Sequence, residues 1–222
     1  MSETEKMVIE RVNINEYLSY IPASKNPLSA DVVLIEGEEY LYLFDVGNNV
    51  EVAAYLDELP KKKKVILSHF HADHTGSIGR FSFETVYAGP IMGKYYQYFV
   101  PGFEKDEESE KYQKVVEPVK IVDGVELEIL PLPTSHAKGS VLVQVNGEYI
   151  LLGDGIYSRK KDGKAVYNVQ LLKEQIKLLQ ELPGDKLFLS HEKRPVKAKK
   201  SMIKFLEKIY EKREKNSPYI AI

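Results

Sequence analysis

Nine consecutive residues dominate this sequence: Ser68-His-Phe-His-Ala-Asp-His-Thr-Gly76, which place three histidines and one aspartate within six positions. The segment directly follows an apolar run that predicts a short buried strand. Residues two apart on an extended chain point the same way, so His69 and His71 can bind one metal ion. Asp73 and His74 follow as the chain turns into a predicted helix, where they can face a second ion close to the first.

The other two histidines and one further acid lie just past predicted strands. His136 follows the apolar-rich segment 129–135, His191 follows 187–190, and Asp154 ends the run 150–153. Loops at strand ends can converge at one edge of a sheet protein, so these residues can join the 69–74 segment. Neutral imidazole and carboxylate are the ligands that zinc accepts when sulfur is absent, and the chain has no cysteine.

Short apolar runs alternate with helical patterns, which indicates an α/β protein with partly parallel sheets. The predicted strands cover residues 8–14, 32–35, 40–44, 65–67, 85–88, 119–122, 125–130, 141–145, 149–152 and 186–189. Three helices are predicted. The first begins after Asn49 and ends before Pro60, and the other two cover 169–182 and 202–209. We expect hairpins at residues 36–39, Asp123-Gly124 and Asn146-Gly147.

Two segments lack a clear pattern. Residues 94–117, rich in tyrosine and charge, are predicted to form an irregular cover with some helix, and residues 158–164 are predicted to form a basic loop. Neither interrupts the chain as a linker would. We therefore expect one domain over residues 1–222, with two sheets and helices outside.

Composition excludes several classes of protein. The formal net charge is −2, which argues against a dedicated nucleic-acid binder, and the absence of cysteine excludes disulfide frameworks and thiol nucleophiles. No apolar run approaches the roughly 18 residues of a membrane span, and residues 1–6 do not resemble a signal peptide. We expect a soluble cytoplasmic protein with no membrane partner and no nucleic-acid partner.

With these residues in order, the sequence resembles the metallo-β-lactamase superfamily of metallohydrolases. The matching pieces are Asp45 in Phe44-Asp-Val-Gly47, the His-x-His-x-Asp-His run at 69–74, His136, Gly153-Asp154 and His191. The resemblance implies an αββα four-layer sandwich of two mixed sheets flanked by helices. Within that superfamily the sequence is similar to the core of glyoxalase II. Only 31 residues follow His191, so we expect no C-terminal glutathione-binding domain.

The resemblance also implies a dinuclear metal centre. His69, His71 and His136 would bind the first ion, and Asp73, His74 and His191 would bind the second. Asp154 would bridge both, opposite a bridging hydroxide, and Asp45 would orient a ligand histidine. The implied cofactors are two Zn²⁺ ions, with iron or manganese as alternatives.

The implied function is metal-dependent hydrolysis of an ester, thioester, lactone or phosphodiester in a small, anionic or polarised molecule. Asp73 would receive or orient a proton and Tyr157 would donate to the oxyanion. Tyr95, Tyr96 and Tyr98, or the basic residues of 159–164, could contact the substrate, although packing and solvation are the commoner roles. Two alternatives stay open: a mononuclear iron enzyme similar to persulfide dioxygenases, and a metal-stabilised binding module without turnover.

Overall fold

The structure is a computed structural model and describes residues 9–92, 94 and 111–222. The strands are, in chain order, β1 (Val12–Asn13), β2 (Leu18–Ile21), β3 (Ser24–Lys25), β4 (Leu28–Ser29), β5 (Val32–Glu36), β6 (Tyr40–Phe44), β7 (Lys62–Leu67), β8 (Thr85–Ala88), β9 (Tyr112–Lys114), β10 (Val119–Val122), β11 (Glu126–Leu132), β12 (Ser140–Val145), β13 (Tyr149–Leu151), β14 (Arg159–Lys161), β15 (Lys164–Asn168), β16 (Lys186–Phe188), β17 (Val196–Ala198) and β18 (Tyr219–Ala221). Within the described ranges, the α-helices with defined bounds are α1 (Val50–Glu58), α2 (Ala72–Thr75), α3 (Val169–Glu181) and α4 (Lys199–Glu211).

Two large mixed sheets organise these strands. The first has the order β1-β2-β5-β6-β7-β8-β9, antiparallel from β1 to β6 and parallel from β6 to β9. The second has the order β10-β11-β12-β13-β16-β17, in which only β13 and β16 pair in parallel. A three-stranded sheet β14-β15-β18 and a two-stranded hairpin β3-β4 complete the described strands.

The two large sheets share one apolar core. Val33 and Phe44 from the first sheet pack with Ile129, Val143 and Phe188 from the second. Their neighbours along each strand point to the opposite face, because side chains alternate along a strand. Strands buried on both faces have continuous apolar sequences, which is why 32–35 and 40–44 contain no alternation of polar residues.

Helices cover the two outer faces. Val52 and Leu56 of α1 pack on the outer face of the first sheet. Leu172 of α3 and Leu206 of α4 pack on the outer face of the second sheet, in a separate cluster. The resulting order, helix–sheet–sheet–helix, confirms the predicted αββα sandwich. Within the described residues, no helix combines the length and apolarity needed to cross a membrane.

Local signals predicted most of the central elements correctly. Asn49 caps α1 through its side chain, and α1 ends at Glu58, two residues before Pro60. The hairpins at Asp123-Gly124 and Asn146-Gly147 connect β10 to β11 and β12 to β13. Strand β7 is longer than expected, because it begins at Lys62 within a lysine run.

Other predictions were wrong or fall outside the described residues. Residues 158–164 are not a loop: β14 and β15 form a hairpin there, and β18 pairs with β15. The strand predicted over 8–14 shrinks to β1, and its first residue lies outside the described range. Most of 94–117 also lies outside it, but Tyr112–Lys114 is a strand rather than irregular cover. A single domain over 1–222 stays a prediction.

Candidate metal centre

Four candidate ligands follow β7, an inner strand of the first sheet. The chain leaves β7 in an extended conformation and passes through His69 to His71, whose backbone (φ −67°, ψ 143°) starts the short helix α2. Asp73 and His74 lie in the only turn of that helix. The extended segment and the helical turn thus present two pairs of ligands to adjacent points, as their spacing predicts.

The other three ligands come from the second sheet. His136 follows β11, Asp154 follows β13 and His191 follows β16. The ligand atoms form two groups, and within each group all lie within 4.8 Å of one another. The first cluster is His69, His71, His136 and Asp154, and the second cluster is Asp73, His74 and His191. The structure therefore brings together all seven predicted ligands.

Asp154 belongs to the first cluster and also faces His74 of the second. Its Oδ2 is 3.2 Å from Nε2 of His136, and its Oδ1 is 3.4 Å from Nε2 of His74. Nε2 of His136 is in turn 3.1 Å from Nδ1 of His71. In the second cluster, Nε2 of His191 lies 3.2 Å from Oδ2 of Asp73 and 3.4 Å from Nε2 of His74.

The donor set fits bound metal ions. Nε2 of His69 and Oδ1 of Asp154 are buried and have no hydrogen-bond partner among the described residues. Buried polar atoms without partners are rare, because each costs free energy unless it is satisfied. Ring nitrogens that face each other at these distances also need a proton or a cation between them. Imidazole nitrogens with a carboxylate oxygen suit zinc, iron or manganese.

Buried groups behind the ligands hold the rings in place. Oδ2 of Asp45, at the end of β6, is 2.7 Å from Nδ1 of His74, and Asp45 is completely buried. This contact keeps the proton on Nδ1 and turns Nε2 of His74 toward the cluster. Nδ1 of His136 faces the carbonyl of Ser158 at 3.3 Å in the same way. Asp45 thus has the orienting position that the resemblance implies.

Ser68 is a supporting residue that the sequence analysis did not single out. Its backbone N–H donates to Oδ1 of Asp45 and its hydroxyl to Oδ2, both at 2.7 Å. The same hydroxyl oxygen is 2.9 Å from Nδ1 of His69. Ser68 therefore links Asp45 to ligands of both clusters, and its position directly before the histidine run was the available signal.

The pKa values of three candidate ligands bear on metal binding. Burial lowers the pKa of His69, and neighbouring histidines lower it further. Burial alone would raise the pKa of Asp154, but the neighbouring imidazoles of His136 and His74 hold it well below its usual range. Burial lowers the pKa of His74, yet Asp45 and Asp154 outweigh it and raise this pKa to about 10. Metal binding would therefore displace a proton from His74.

Two further predictions concern residues around the ligands. The hydroxyl of Tyr157 donates to the carbonyl of Ser190 at 2.7 Å, and its ring centroid is 6.4 Å from that of His136. Tyr157 would have to release this hydrogen bond to donate to a substrate, so its role as oxyanion donor stays a prediction. Tyr95, Tyr96 and Tyr98 lie outside the described residues.

Comparison with known proteins agrees with this geometry. The family model of the metallo-beta-lactamase superfamily matches residues 26–191. A B3 metallo-beta-lactamase with an active-site glutamic acid has 12% identity and a TM-score of 0.67, over 91% of this chain and 89% of that chain. A variant of the sec-alkyl sulfatase PisA1 has 18% identity and a TM-score of 0.62, over 90% of this chain and 41% of that one.

The flavodiiron protein from Giardia intestinalis has 10% identity and a TM-score of 0.65, over 91% of this chain and 59% of that chain. At such identities the likeness concerns the fold. No curated protein sequence matches this chain significantly.

Proposed function

The chain belongs to the metallo-β-lactamase superfamily. From this membership and the two clusters of candidate ligands, we propose that the protein is a hydrolase with a dinuclear metal centre. The position of Asp154 carries the proposal. Its two carboxylate oxygens face different clusters, and the oxygen that faces His74 has no hydrogen-bond partner among the described residues. A carboxylate in this position is suited to bridge two cations, whereas a single ion in the first cluster would leave that oxygen unsatisfied.

The proposed cofactors are two Zn²⁺ ions, with iron or manganese as alternatives. His69, His71 and His136 would hold the first ion, and Asp73, His74 and His191 would hold the second. When bound, such ions act as Lewis acids that activate water and stabilise developing negative charge. Asp45 and Ser158 contribute by fixing the orientation of His74 and His136, so that little reorganisation is needed when metal binds.

Asp73 and Tyr157 are the proposed catalytic residues. The side chain of Asp73 is 19% exposed, more than that of Asp154 at 9%, so it is the carboxylate better placed to exchange a proton with solvent. Tyr157 would donate its hydroxyl hydrogen to the substrate after releasing Ser190. In that case Tyr157→Phe lowers kcat about 100-fold, the effect of losing one oxyanion donor. An unchanged kcat would remove Tyr157 from the catalytic residues.

The proposed substrate is a small ester, thioester, lactone or phosphodiester with an anionic or polarised reacting group. Two divalent cations and the carboxylates of Asp73 and Asp154 leave a centre with net positive charge, which attracts such groups. The net charge of −2 for the whole chain favours a small molecule over a nucleic acid. The cytoplasmic location stays a prediction.

A substrate panel tests the proposal. The metal-loaded protein is assayed with a nitrophenyl ester, an acyl thioester, a lactone and a nitrophenyl phosphodiester. We expect turnover of at least one class, and a loss of about 100-fold or more in Asp154→Asn, because several kcal/mol of metal-derived stabilisation disappear. Asp123→Asn is the matched control, because the carboxylate of Asp123 also accepts hydrogen bonds but lies in a turn away from the metal centre.

Two other results would contradict a hydrolase. A single iron per chain, with oxygen consumed in the presence of a persulfide, would identify the oxidoreductase alternative. Two bound metals without turnover of any class would identify a metal-stabilised binding module.

A further inference from the structure

His191 has a backbone conformation that residues other than glycine rarely adopt. Its φ is 64°, in the left-handed region, where the Cβ crowds the backbone. Such a conformation persists only when surrounding contacts hold it. The side chain of this residue supplies one of the three ligands of the second cluster. Whatever fixes the backbone of His191 therefore also fixes part of the second cluster.

A side-chain contact to this backbone comes from Asp31, the residue directly before β5 of the first sheet. Oδ2 of Asp31 accepts the backbone N–H of His191 at 2.9 Å, across 160 positions of the sequence. Oδ1 of Asp31 accepts the N–H of Ala23 at 3.1 Å. Asp31 is 2% exposed, so both oxygens of a buried carboxylate are used by backbone N–H groups. Removing the carboxylate would leave two backbone N–H groups without their acceptors, which is costly.

The residue before Asp31 contacts a second ligand of the same cluster. The backbone N–H of Ala30 donates to the carbonyl of Asp73 at 2.8 Å. The dipeptide Ala30-Asp31 thus holds the backbone of Asp73 and of His191, two of the three residues in the second cluster. The third, His74, is held by Asp45.

The first cluster depends on different contacts. His69 is close to the hydroxyl of Ser68, and His136 faces the carbonyl of Ser158. The N–H of His136 is also 3.1 Å from the hydroxyl oxygen of Thr134. Asp31 makes none of these contacts.

We propose that Asp31 is a positioning residue that sets the affinity of the second metal site by holding the backbone of His191. The inference rests on the proposed dinuclear centre. It implies that loss of the Asp31 carboxylate converts a protein with two metal ions into one that retains a single ion in the first cluster.

Metal titration of the full chain tests this role. The chelator-treated protein is titrated with Co²⁺ and followed by its visible absorption, with metal content measured after gel filtration. In Asp31→Ala we expect the second equivalent to bind about 10- to 100-fold more weakly, the usual effect of losing an outer contact, with the first equivalent unchanged. Asp31→Asn has one acceptor oxygen for two N–H donors, so we expect a smaller loss.

Asp123→Ala is the matched control, because Asp123 also accepts two backbone N–H groups but does so at the turn between β10 and β11. It should bind both equivalents normally. If Asp31→Ala does not fold, Asp31→Asn decides the question. Normal binding of the second equivalent in a folded Asp31 variant, or equal weakening of both equivalents, would overturn the inference. If the unaltered protein binds two ions but hydrolyses nothing, the proposed activity fails while the role of Asp31 stands.

Discussion

At the scale of single residues, the centre depends on buried groups that orient the ligands. Asp45 lies at the end of β6 with φ 57°, and its carboxylate is shared between His74 and two donors of Ser68. The left-handed backbone directs this carboxylate beneath the histidine run. Asp45 and Asp31 thus support different ligands of the second cluster by different means, the first through a ring and the second through a backbone N–H.

Replacing Asp45 with alanine should weaken metal binding without removing a ligand. His74 loses the partner that fixes its Nδ1 proton, so we expect affinity for the second ion to fall about 10- to 100-fold. The buried N–H of Ser68 also loses its acceptor, which should lower the free energy of unfolding by about 1–3 kcal/mol. Chelator competition and urea denaturation measure these effects. Asp57→Ala, at a surface contact with Ser82, is the control and should bind metal normally.

Gly153 is required by its surroundings as well as by its backbone. Its φ is 53°, and a Cβ there would lie 2.5 Å from Oγ of Ser68. We expect Gly153→Ala to destabilise the protein by about 1–3 kcal/mol more than backbone strain alone, because it displaces Ser68 from Asp45. Gly163 provides the comparison, since its φ is 76° and nothing lies within 4 Å of the added Cβ. Equal losses in thermal unfolding for the two variants would show that crowding at Ser68 is unimportant.

The convergence of the seven candidate ligands was predictable from the sequence, whereas the contact of Asp31 was not. Four of them occur within six positions, and the other three lie just past apolar runs. Residue type and position in the sequence therefore both identified them as candidate metal ligands. The partner of Asp31 is a backbone N–H 160 positions away, and an aspartate before a strand is common in turns. No local pattern distinguishes such a contact.

At the scale of elements, the hairpin β14–β15 shows where local patterns are insufficient. Its strands are short and rich in lysine, and β15 is paired on its other side by β18 from the end of the chain. Stabilisation by a distant strand is not visible in a local window. The turn did carry a usable sequence signal, the dipeptide Asp162-Gly163, because Asp-Gly is common in two-residue hairpin turns. Both residues have the positive φ that such a turn requires.

Strand β18 should contribute measurably to stability through one side chain. Ile220 is 2% exposed and packs in the cluster that includes helices α3 and α4, whereas Ile222 is 56% exposed. We expect Ile220→Ala to lower the free energy of unfolding by about 2–5 kcal/mol. Ile222→Ala should change it by less than about 0.5 kcal/mol. Similar values for the two in urea denaturation would mean that β18 is not part of the folded core.

At the scale of the whole molecule, Asp123 joins the two large sheets on the side away from the metal centre. It lies in the turn between β10 and β11, and its carboxylate accepts the N–H groups of Glu39 and Tyr40 and the hydroxyl of Tyr42. Burial raises the pKa of Asp123, but these hydrogen bonds together outweigh it and lower the pKa below its usual value.

The lowered pKa of Asp123 predicts a pH dependence of stability. The folded state binds the proton more weakly than the unfolded state, so the contribution is complete above the unfolded pKa of about 3.9. It is lost as pH falls through the lower folded pKa. Unfolding free energies measured between pH 2 and pH 7 should therefore fall less steeply with acid in Asp123→Asn than in the unaltered protein. Parallel curves would contradict this.

The assembly of the sandwich needed more than local patterns. Runs such as 32–35 and 141–145 predicted buried strands, but nothing within them indicates which sheet each strand joins. The αββα order was predicted from the resemblance carried by the ligand residues. The structure explains why the αββα order accompanies this set of candidate ligands. The residues follow strands of both sheets, so they come together only when the sheets face each other.

Anomalous diffraction from crystals of the protein with its copurified metal tests the central claim most directly. Two separate peaks are expected, one among His69, His71 and His136 and the other among Asp73, His74 and His191, with Asp154 in contact with both. A single peak, or peaks away from these side chains, would contradict a dinuclear centre built at the junction of the two sheets.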